Sequence, residues 1–388
     1  MEKINVVNLT KIFGTNPKKA LKLLTQGVSK DKIFNTTGQI VGLADINFTI
    51  SQGEILVVMG LSGSGKSTLI RCINRLIVPS QGQVLIDGTD ISTLDHHALL
   101  ELRRQKFGMV FQHFALFPHR NILDNVAFGL EIQRMEKEQR YEKARSALQL
   151  VDLEDWEDAR PSQLSGGMQQ RVGLARALAV EPDILLMDEA FSALDPLIRG
   201  DMQNELLTLQ ARVHKTILFI THDLDEALKI GNRVILMKDG QIVQIGTPEE
   251  IVLSPANEYV QNFIENVDKS KILTAKSAMI PVYITASPDD SPQTVLNKME
   301  ESCLSRILVV NSNNILLGII NIKTLQAIRD EKNIENLIEP TVPTVTINEP
   351  LKVLISILAE WSGQLPVVDE QQQLLGIVNS NTVLAALK

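Results

Sequence analysis

At 388 residues the chain is longer than one compact domain usually is, so two or three units are expected. Hydrophobic residues at 44% and charged residues at 22%, with Gly 22 and Pro 15, exclude disorder as the main state and any long low-complexity tract. A formal charge of -8 with only 4% aromatic residues argues against a general nucleic-acid binder, which needs a basic face and stacking rings, so no nucleic-acid partner is expected.

The two cysteines, Cys72 and Cys303, lie far apart in apolar surroundings with no metal-ligand spacing, which points to a reducing compartment. The start MEKINVVNL has no basic-then-apolar leader, and the runs ILVVMGL and DILLM fall far short of the ~18 residues of a membrane span. A soluble, unexported chain is expected, with attachment to a membrane protein left open.

Over the first two thirds, short β-branched apolar runs alternate with amphipathic stretches, the pattern of an α/β unit. Ile55 to Met59 is a predicted strand; it leads into GLSGSGKST, Gly60 to Thr68, and then the amphipathic LIRCINRLI. Strand, Gly-rich loop and helix in that order make a phosphate-binding P-loop. Gly60, Gly63 and Gly65 let the backbone curl so that successive N–H groups and the helix start face an anion, with Ser62, Ser64 and Thr68 in the same cradle. Lys66 would reach the β and γ phosphates, and the Ser67 hydroxyl would complete the shell of Mg²⁺. A flexible Gly/Ser turn is the plainer reading of the loop, disfavoured by the full pattern between strand and helix. Cys72 on the following helix reads as core filling.

Met109 to Phe111 is a second predicted strand. In LSGGMQQRVGLARALA, Leu164 to Ala179, Ser165 is a natural N-cap, and Gly166 and Gly167 bare the backbone ahead of a helix, which makes a second anion-binding helix start. Ile184 to Met187, a third strand, ends in Asp188 and Glu189, where a carboxylate is stranded unless it has a cation or donors. Asp188 would hold Mg²⁺ through water, and Glu189 would orient or deprotonate an attacking water. An acidic pair at a helix start is the plainer alternative. The chain thus offers two phosphate cradles but one Lys/Mg²⁺ set, and a head-to-tail dimer resolves this, one chain's cradle closing over the other's nucleotide. Taken alone, SGG reads as an ordinary capped helix; its place 23 residues before Asp188 disfavours that.

Strands are expected at Thr216 to Ile220 and Val234 to Met237. The pattern weakens around Asn257 to Lys276, and a new texture begins at Met279. There SRILVVNSNNILLGIINIKTLQAI, from Ser305, aligns without a gap on GQLPVVDEQQQLLGIVNSNTVLAAL, from Gly363, at a shift of 58 residues. Each copy reads as helix, short buried strand, polar turn, second strand and closing helix, too small to stand alone and expected to pack as a pair. The predicted division is 1–265, a linker at 266–278, and repeats at 279–336 and 337–388. Residues 279–388 hold 7 Lys+Arg against 12 Asp+Glu, so a strongly basic, lipid-gripping surface is not visible as net charge.

With these motifs in order, residues 1 to about 265 resemble the ATPase subunit of ABC transporters. The resemblance implies an α/β P-loop ATPase fold with a helical subdomain, acting on ATP with Mg²⁺. It also implies roles for residues that spacing alone does not assign. Gln112, in MVFQ, matches the loop glutamine that senses Mg²⁺ and links the site to the membrane subunit. Ser192, Ala193, Leu194 and Asp195 match the loop that crosses the dimer interface, and His222, in FITHD, matches the histidine that contacts the γ-phosphate. Phe13 falls where the family has an aromatic under the adenine, although a core Phe fits the position nearly as well. Two departures stand out. Met168 takes the place of the glutamine that usually follows LSGG, with Gln169 next, which leaves the backbone cradle without that side chain. About two dozen residues, ALKLLTQGVSKDKIFNTTGQIVGL, also separate Phe13 from the strand before the P-loop. The segment Phe111 to Leu130 is unusually apolar and fits either a groove for a membrane-subunit helix or packing inside the helical subdomain.

That insertion, the phrases around the motifs and the C-terminal duplicate resemble, more narrowly, the ATP-binding subunit of glycine betaine/proline importers with a tandem CBS module of two βαββα units. This implies a homodimer on integral-membrane permease subunits, a solute-binding protein or domain reached through them, and a place at the cytoplasmic face of the cell's inner membrane. Choline, carnitine or another cargo stays open, because cargo contacts lie on other subunits. A soluble ABC ATPase acting on nucleic acid or ribosomes is disfavoured: paired cassettes, coiled-coil inserts and basic tails are missing from the sequence. In the CBS family an adenosine ligand is held by a pattern ending in Asp. Here Gly318-Ile319-Ile320-Asn321 is followed by Thr324 and Gly376-Ile377-Val378-Asn379 by Thr382. Without the Asp in either copy, AMP or ATP sensing is disfavoured, leaving regulation by ionic strength or by another nucleotide, such as a cyclic dinucleotide.

Overall fold

In the computed structural model, which describes residues 1–112, 114–327, 333–361 and 363–388, the chain begins with β1 (Glu2–Phe13) and a pair of short helices, α1 (Pro17–Thr25) and α2 (Lys30–Thr37). β2 (Ile40–Ser51) then returns antiparallel to β1, so that Phe13 pairs with Ile40. The two-dozen-residue insertion is therefore a helical excursion between paired strands. Ala20 and Ile33 bury against Ile12, Val41 and Ala44, and Lys30 Nζ donates to the carbonyls of Val41, at 3.2 Å, and Asp239.

β3 (Ile55–Met59), α3 (Lys66–Ile73), β4 (Gln81–Ile86), β5 (Thr89–Asp90), α4 (His96–Lys106) and β6 (Phe107–Phe111) follow. Next come the helices α5 (Ile122–Ile132), α6 (Lys137–Gln149) and α7 (Gly166–Ala179). Then β7 (Ile184–Asp188), α8 (Pro196–Val213), β8 (Thr216–Thr221), α9 (Leu224–Ile230), β9 (Arg233–Lys238), β10 (Gln241–Gly246), α10 (Pro248–Leu253) and α11 (Glu258–Ile264) complete this unit, which spans Met1–Val267. One sheet has the order β2-β1-β4-β5 and the other β10-β9-β3-β8-β7-β6. In the second, β3, β6, β7, β8 and β9 run parallel, and β3, β7 and β8 are buried along their whole length. Continuous apolar runs are what a parallel sheet covered on both faces requires.

Cys72 lies in the core between the two sheets, where burial pushes its thiol up to about 12, so it stays protonated and inert. Of the segment Phe111 to Leu130, His113 lies outside the described residues. In the rest, α5 packs on α6 and α7, and the buried Asn125 accepts from Phe117 N–H and donates to the carbonyls of Phe117, Arg120 and Asn121, which fixes the loop before α5. Its apolar character is largely spent inside the helical subdomain.

The second unit spans Asp268–Lys388. Residues 268–278, expected as part of a linker, are structured within it: α12 (Ala275–Ala278) is preceded by Thr274, which bridges to Pro350, and Ala275 N–H donates to Glu349 O. Leu273, Ala275 and Ala278 are buried there between polar neighbours, an apolar pattern too short to read as an element. α13 (Pro292–Glu301), β11 (Arg306–Val310), β12 (Leu316–Asn321) and α14 (Ile322–Ala327) form the first copy. Ile328, in the predicted closing helix, lies outside the described residues. β13 (Val345–Thr346), α15 (Leu351–Glu360), β14 (Leu365–Val368), β15 (Leu374–Val378) and α16 (Ser380–Leu387) form the second. Leu308 and Ile319 of one copy bury with Leu374 and Ile377 of the other, so the pair shares the core that neither could close alone.

Candidate active site

Four neighbouring parallel strands, β3, β8, β7 and β6, end on the same edge of the sheet, and each delivers site residues just past its C-terminus. This is where α/β sheets place their ligands. Gly60 to Gly65 follow β3, Glu189 follows β7 directly after Asp188, His222 follows β8 and Gln112 follows β6. Residues up to 162 positions apart in sequence are brought together in this way, from Gly60 to His222.

An open cleft of about 690 Å³ lies there, lined by Leu61, Ser62, Gly63, Gly65, Lys66, Ser67 and Thr68, by Glu189 and His222, and by Phe13, Ile40, Val41 and Gly42. The last three escape sequence reading. They reach the cleft because the pairing of β1 with β2 sets Ile40 beside Phe13 across the insertion. Gly65 caps α3 at φ +99, and a side chain there would meet Gly42 O at 2.7 Å. Gly63, at φ +80, has nothing within 4 Å of a modest side chain's first carbon, so the loop leaves open space where an anion would sit.

Lys66 is buried and donates to the carbonyls of Gly60, at 2.7 Å, and Leu61, at 3.1 Å. Burial pulls its ammonium below the ordinary lysine value, against the carboxylates of Glu189 and Asp188, which push it up. Ser64 is buried and its hydroxyl has no partner. Ser67 Oγ donates to Asp188 Oδ1 at 3.2 Å, and burial pushes the Asp188 carboxyl above the usual carboxylate range despite Ser67, Arg71 and Lys66. Glu189 adopts a left-handed backbone, φ +49, which turns the chain sharply just past the strand end. Its Oε2 accepts from Gln112 Nε2 at 3.3 Å and lies 3.3 Å from His222 Nδ1.

Ser165, Gly166, Gly167 and Asp195 do not line this cleft. Ser165 caps α7 by accepting from Met168 N–H, and Gly167 is packed so that a side chain would meet Ile198 at 2.6 Å. Gln169, beside Met168, turns inward to donate to the carbonyls of Pro161 and Leu164. Asp195 caps α8 by accepting from Leu197 and Ile198 N–H. In the second unit, Asn379 and Thr382 bond each other's backbone in the capping box of α16, which engages the Thr382 hydroxyl where the family pattern has Asp.

A P-loop facing an Asp-Glu strand end across a parallel sheet defines a P-loop nucleotide hydrolase. The ABC transporter model matches residues 43–192, and the CBS domain model matches 275–329 and 334–388. The glycine betaine/carnitine transport ATP-binding protein GbuA of Listeria monocytogenes is 50% identical over 100% of this chain and 98% of its own length. The glycine betaine/proline betaine transport system ATP-binding protein ProV of Salmonella typhimurium is 47% identical over 99% and 97%. Among solved structures, the dimeric bacterial ABC transporter cassette MJ0796 is 34% identical with TM-score 0.53, covering 63% of this chain and 98% of that one. The chain belongs to the family of ABC transporter ATP-binding proteins, with a C-terminal pair of CBS domains. It is an ABC-type ATPase and binds ATP.

Proposed function

We propose that the chain hydrolyses ATP to drive import of a compatible solute of the glycine betaine and proline betaine type. The observation that carries this is that identity of 46–50% to betaine-transport ATP-binding proteins runs through both units, CBS domains included. Two copies would work on a membrane permease at the cytoplasmic face; among the described residues, no helix is long and apolar enough to cross a membrane. The surface depression lined by Phe107, Met109, Gly129, Ile132 and Ala177 is the candidate seat for a permease helix.

At the site, Phe13 and Ile40 offer an apolar wall to the base, the loop Gly60–Thr68 takes the phosphates, and Lys66 leaves its carbonyl partners for the β and γ oxygens. The open space at Gly63 fits a phosphate ligand. The Ser67 hydroxyl and the Asp188 carboxylate, 3.2 Å apart, are oxygen ligands of the kind Mg²⁺ takes, and the Gln112 side-chain oxygen would complete the set. Bound there, Mg²⁺ would neutralise charge developing on the phosphates. Glu189 orients the attacking water and takes its proton, Gln112 and His222 hold that carboxylate from two sides, and Ser165–Gly167 and Asp195 serve the partner's nucleotide. The CBS pair regulates, through salt or a nucleotide other than AMP or ATP; the polar cleft of about 330 Å³ at Ser305, Arg306, Gln364 and Asn379 to Asn381 is its candidate ligand seat.

Uptake into vesicles holding this chain with its cognate permease tests the cargo. Glycine betaine uptake that is dependent on ATP and outcompetes choline and carnitine is expected; no betaine uptake beside robust uptake of another solute would overturn the cargo reading.

A further inference from the structure

Glu189 stands inside a ring of polar contacts, one member of which has no part in the chemistry above. Gln112 Nε2 donates to Ser192 Oγ at 3.2 Å as well as to Glu189, and His222 faces the same carboxylate oxygen from the other side. Ser192 and His222 sit on separate loops, after β7 and after β8. Arg199, on the first turn of α8, spans them. Its Nη1 pairs with Asp223 Oδ2 at 3.1 Å, and its Nη2 donates to the carbonyls of Leu194, at 3.1 Å, and Ser192, at 3.4 Å. Asp223 follows His222 directly and caps α9 by accepting from Glu226 N–H at 3.1 Å.

The geometry points to Arg199 as a positioning residue that ties the loop Ser192–Asp195 to the backbone carrying His222, and so sets both on either side of the Glu189 carboxylate. This rests on the roles given above to Glu189 and His222. A planar guanidinium can hold one carboxylate and two carbonyls at once, which a lysine ammonium on a shorter fork cannot reproduce. Arg199 and Asp223 keep side-chain exposures of 25% and 33%, so solvent screens their pairing in part and its contribution to global stability is modest. Rate is more sensitive than stability here, because a displacement of about 1 Å in a reacting constellation costs on the order of a hundredfold. The consequence of losing Arg199 should therefore fall on turnover, and spare both ATP affinity and folding.

The test compares kcat, KM for ATP and Tm in the full-length chain carrying Arg199→Met, Arg199→Lys, Asp223→Asn or Arg199→Met with Asp223→Asn. Asparagine caps a helix as aspartate does, so Asp223→Asn removes the ion pair and keeps the cap. Arg199→Met and Asp223→Asn should each lower kcat by about tenfold or more, with KM within about twofold and Tm almost unchanged; the double variant should be no worse than the worse single one, and Arg199→Lys should recover part of the rate. A kcat within twofold of the parent, losses that multiply in the double variant, or losses that follow Tm would each overturn the role. If Arg199→Met fails to fold, Asp223→Asn and Arg199→Lys make the same comparison. Glu189→Gln is measured in parallel: a Glu189→Gln chain that still turns over sinks the reading of Glu189, whereas normal Arg199 variants beside an inactive Glu189→Gln sink only the positioning role.

Discussion

His222 Nδ1 lies 3.3 Å from Glu189 Oε2, although 33 residues and a whole helix separate the two in sequence. Gln112 Nε2 donates to the same oxygen at 3.3 Å, so residues from two other loops converge on one carboxylate oxygen. A general base must sit within hydrogen-bond reach of the proton it takes, and this convergence fixes where that carboxylate sits.

Glu189→Gln should therefore keep ATP binding and lower hydrolysis by about 10² or more, because the amide preserves shape and accepts a donor but takes no proton. Turnover by the purified variant, set against binding of a fluorescent ATP analogue, checks this. Near-normal turnover would remove Glu189 from its role.

Asp188 carries a stability cost that its chemistry explains. Burial raises its folded-state pKa above the unfolded value, so the folded chain binds the proton more tightly, and between those two values stability falls as pH rises. Asp188→Asn removes the charge while keeping a partner for Ser67. In nucleotide-free protein it should raise Tm near neutral pH by roughly 2–4 °C, the scale of about 1 kcal/mol in a domain of this size, and flatten the decline with pH. Thermal scans from about pH 4 to about pH 8 decide it, since the window begins near the ordinary carboxylate value. An equal or lower Tm in the variant would show that the carboxylate is not the strained group.

What the sequence displays and what it hides divide on physical grounds. The P-loop is legible because a phosphate cradle is built from consecutive backbone N–H groups, so its residues must be contiguous. The Asp188-Glu189 pair is legible because a charge that ends an apolar run violates the pattern around it. Ile40, Val41 and Gly42 are hidden, since their place in the cleft comes from strand pairing across a helical excursion that composition does not foretell. Arg199 and Asp223 are hidden for a similar reason: the order β3-β8-β7 makes their loops neighbours, and strand order is not a local property of the chain. The second unit is readable in outline because duplication repeats its pattern at a fixed shift. Its opening residues, 268–278, are held by backbone bonds to Glu349 and Ile347 and by burial of Leu273, Ala275 and Ala278, too few apolar positions to stand out from the polar residues between them.

Ser165 to Gly167 lie outside the cleft that holds Lys66, which supports a second chain as the closing half. Lys66→Ala and Ser165→Arg chains, each inactive alone, should complement when mixed. In the mixed dimer one composite site joins an intact P-loop to an intact cradle, so about a quarter of the parental sites are recovered if the chains pair at random. ATPase activity on mixing reads this out. Full-rate hydrolysis by a monomer, independent of concentration, would remove the need for a partner.

The final prediction concerns Asp268–Lys388. The unit boundary after Val267 leaves every residue of the candidate site on one side, and the core of the CBS pair closes on itself through Leu308, Ile319, Leu374 and Ile377. A chain ending at Val267 should therefore fold and hydrolyse ATP in the assembled transporter at a rate within a few-fold of the parent. What should disappear is the dependence on ionic strength or on an added nucleotide, because a ligand or salt can shift turnover only through an element that has two states and different affinity for each. Thr382 spends its hydroxyl on the cap of α16, so AMP and ATP are poor candidates for that ligand, and a cyclic dinucleotide is the probe to add first. Vesicle uptake across a salt series, with and without the probe, separates the possibilities. Loss of the salt or nucleotide response on truncation supports a sensor. Identical responses in both chains mean that the CBS pair serves assembly alone, and the regulatory reading falls.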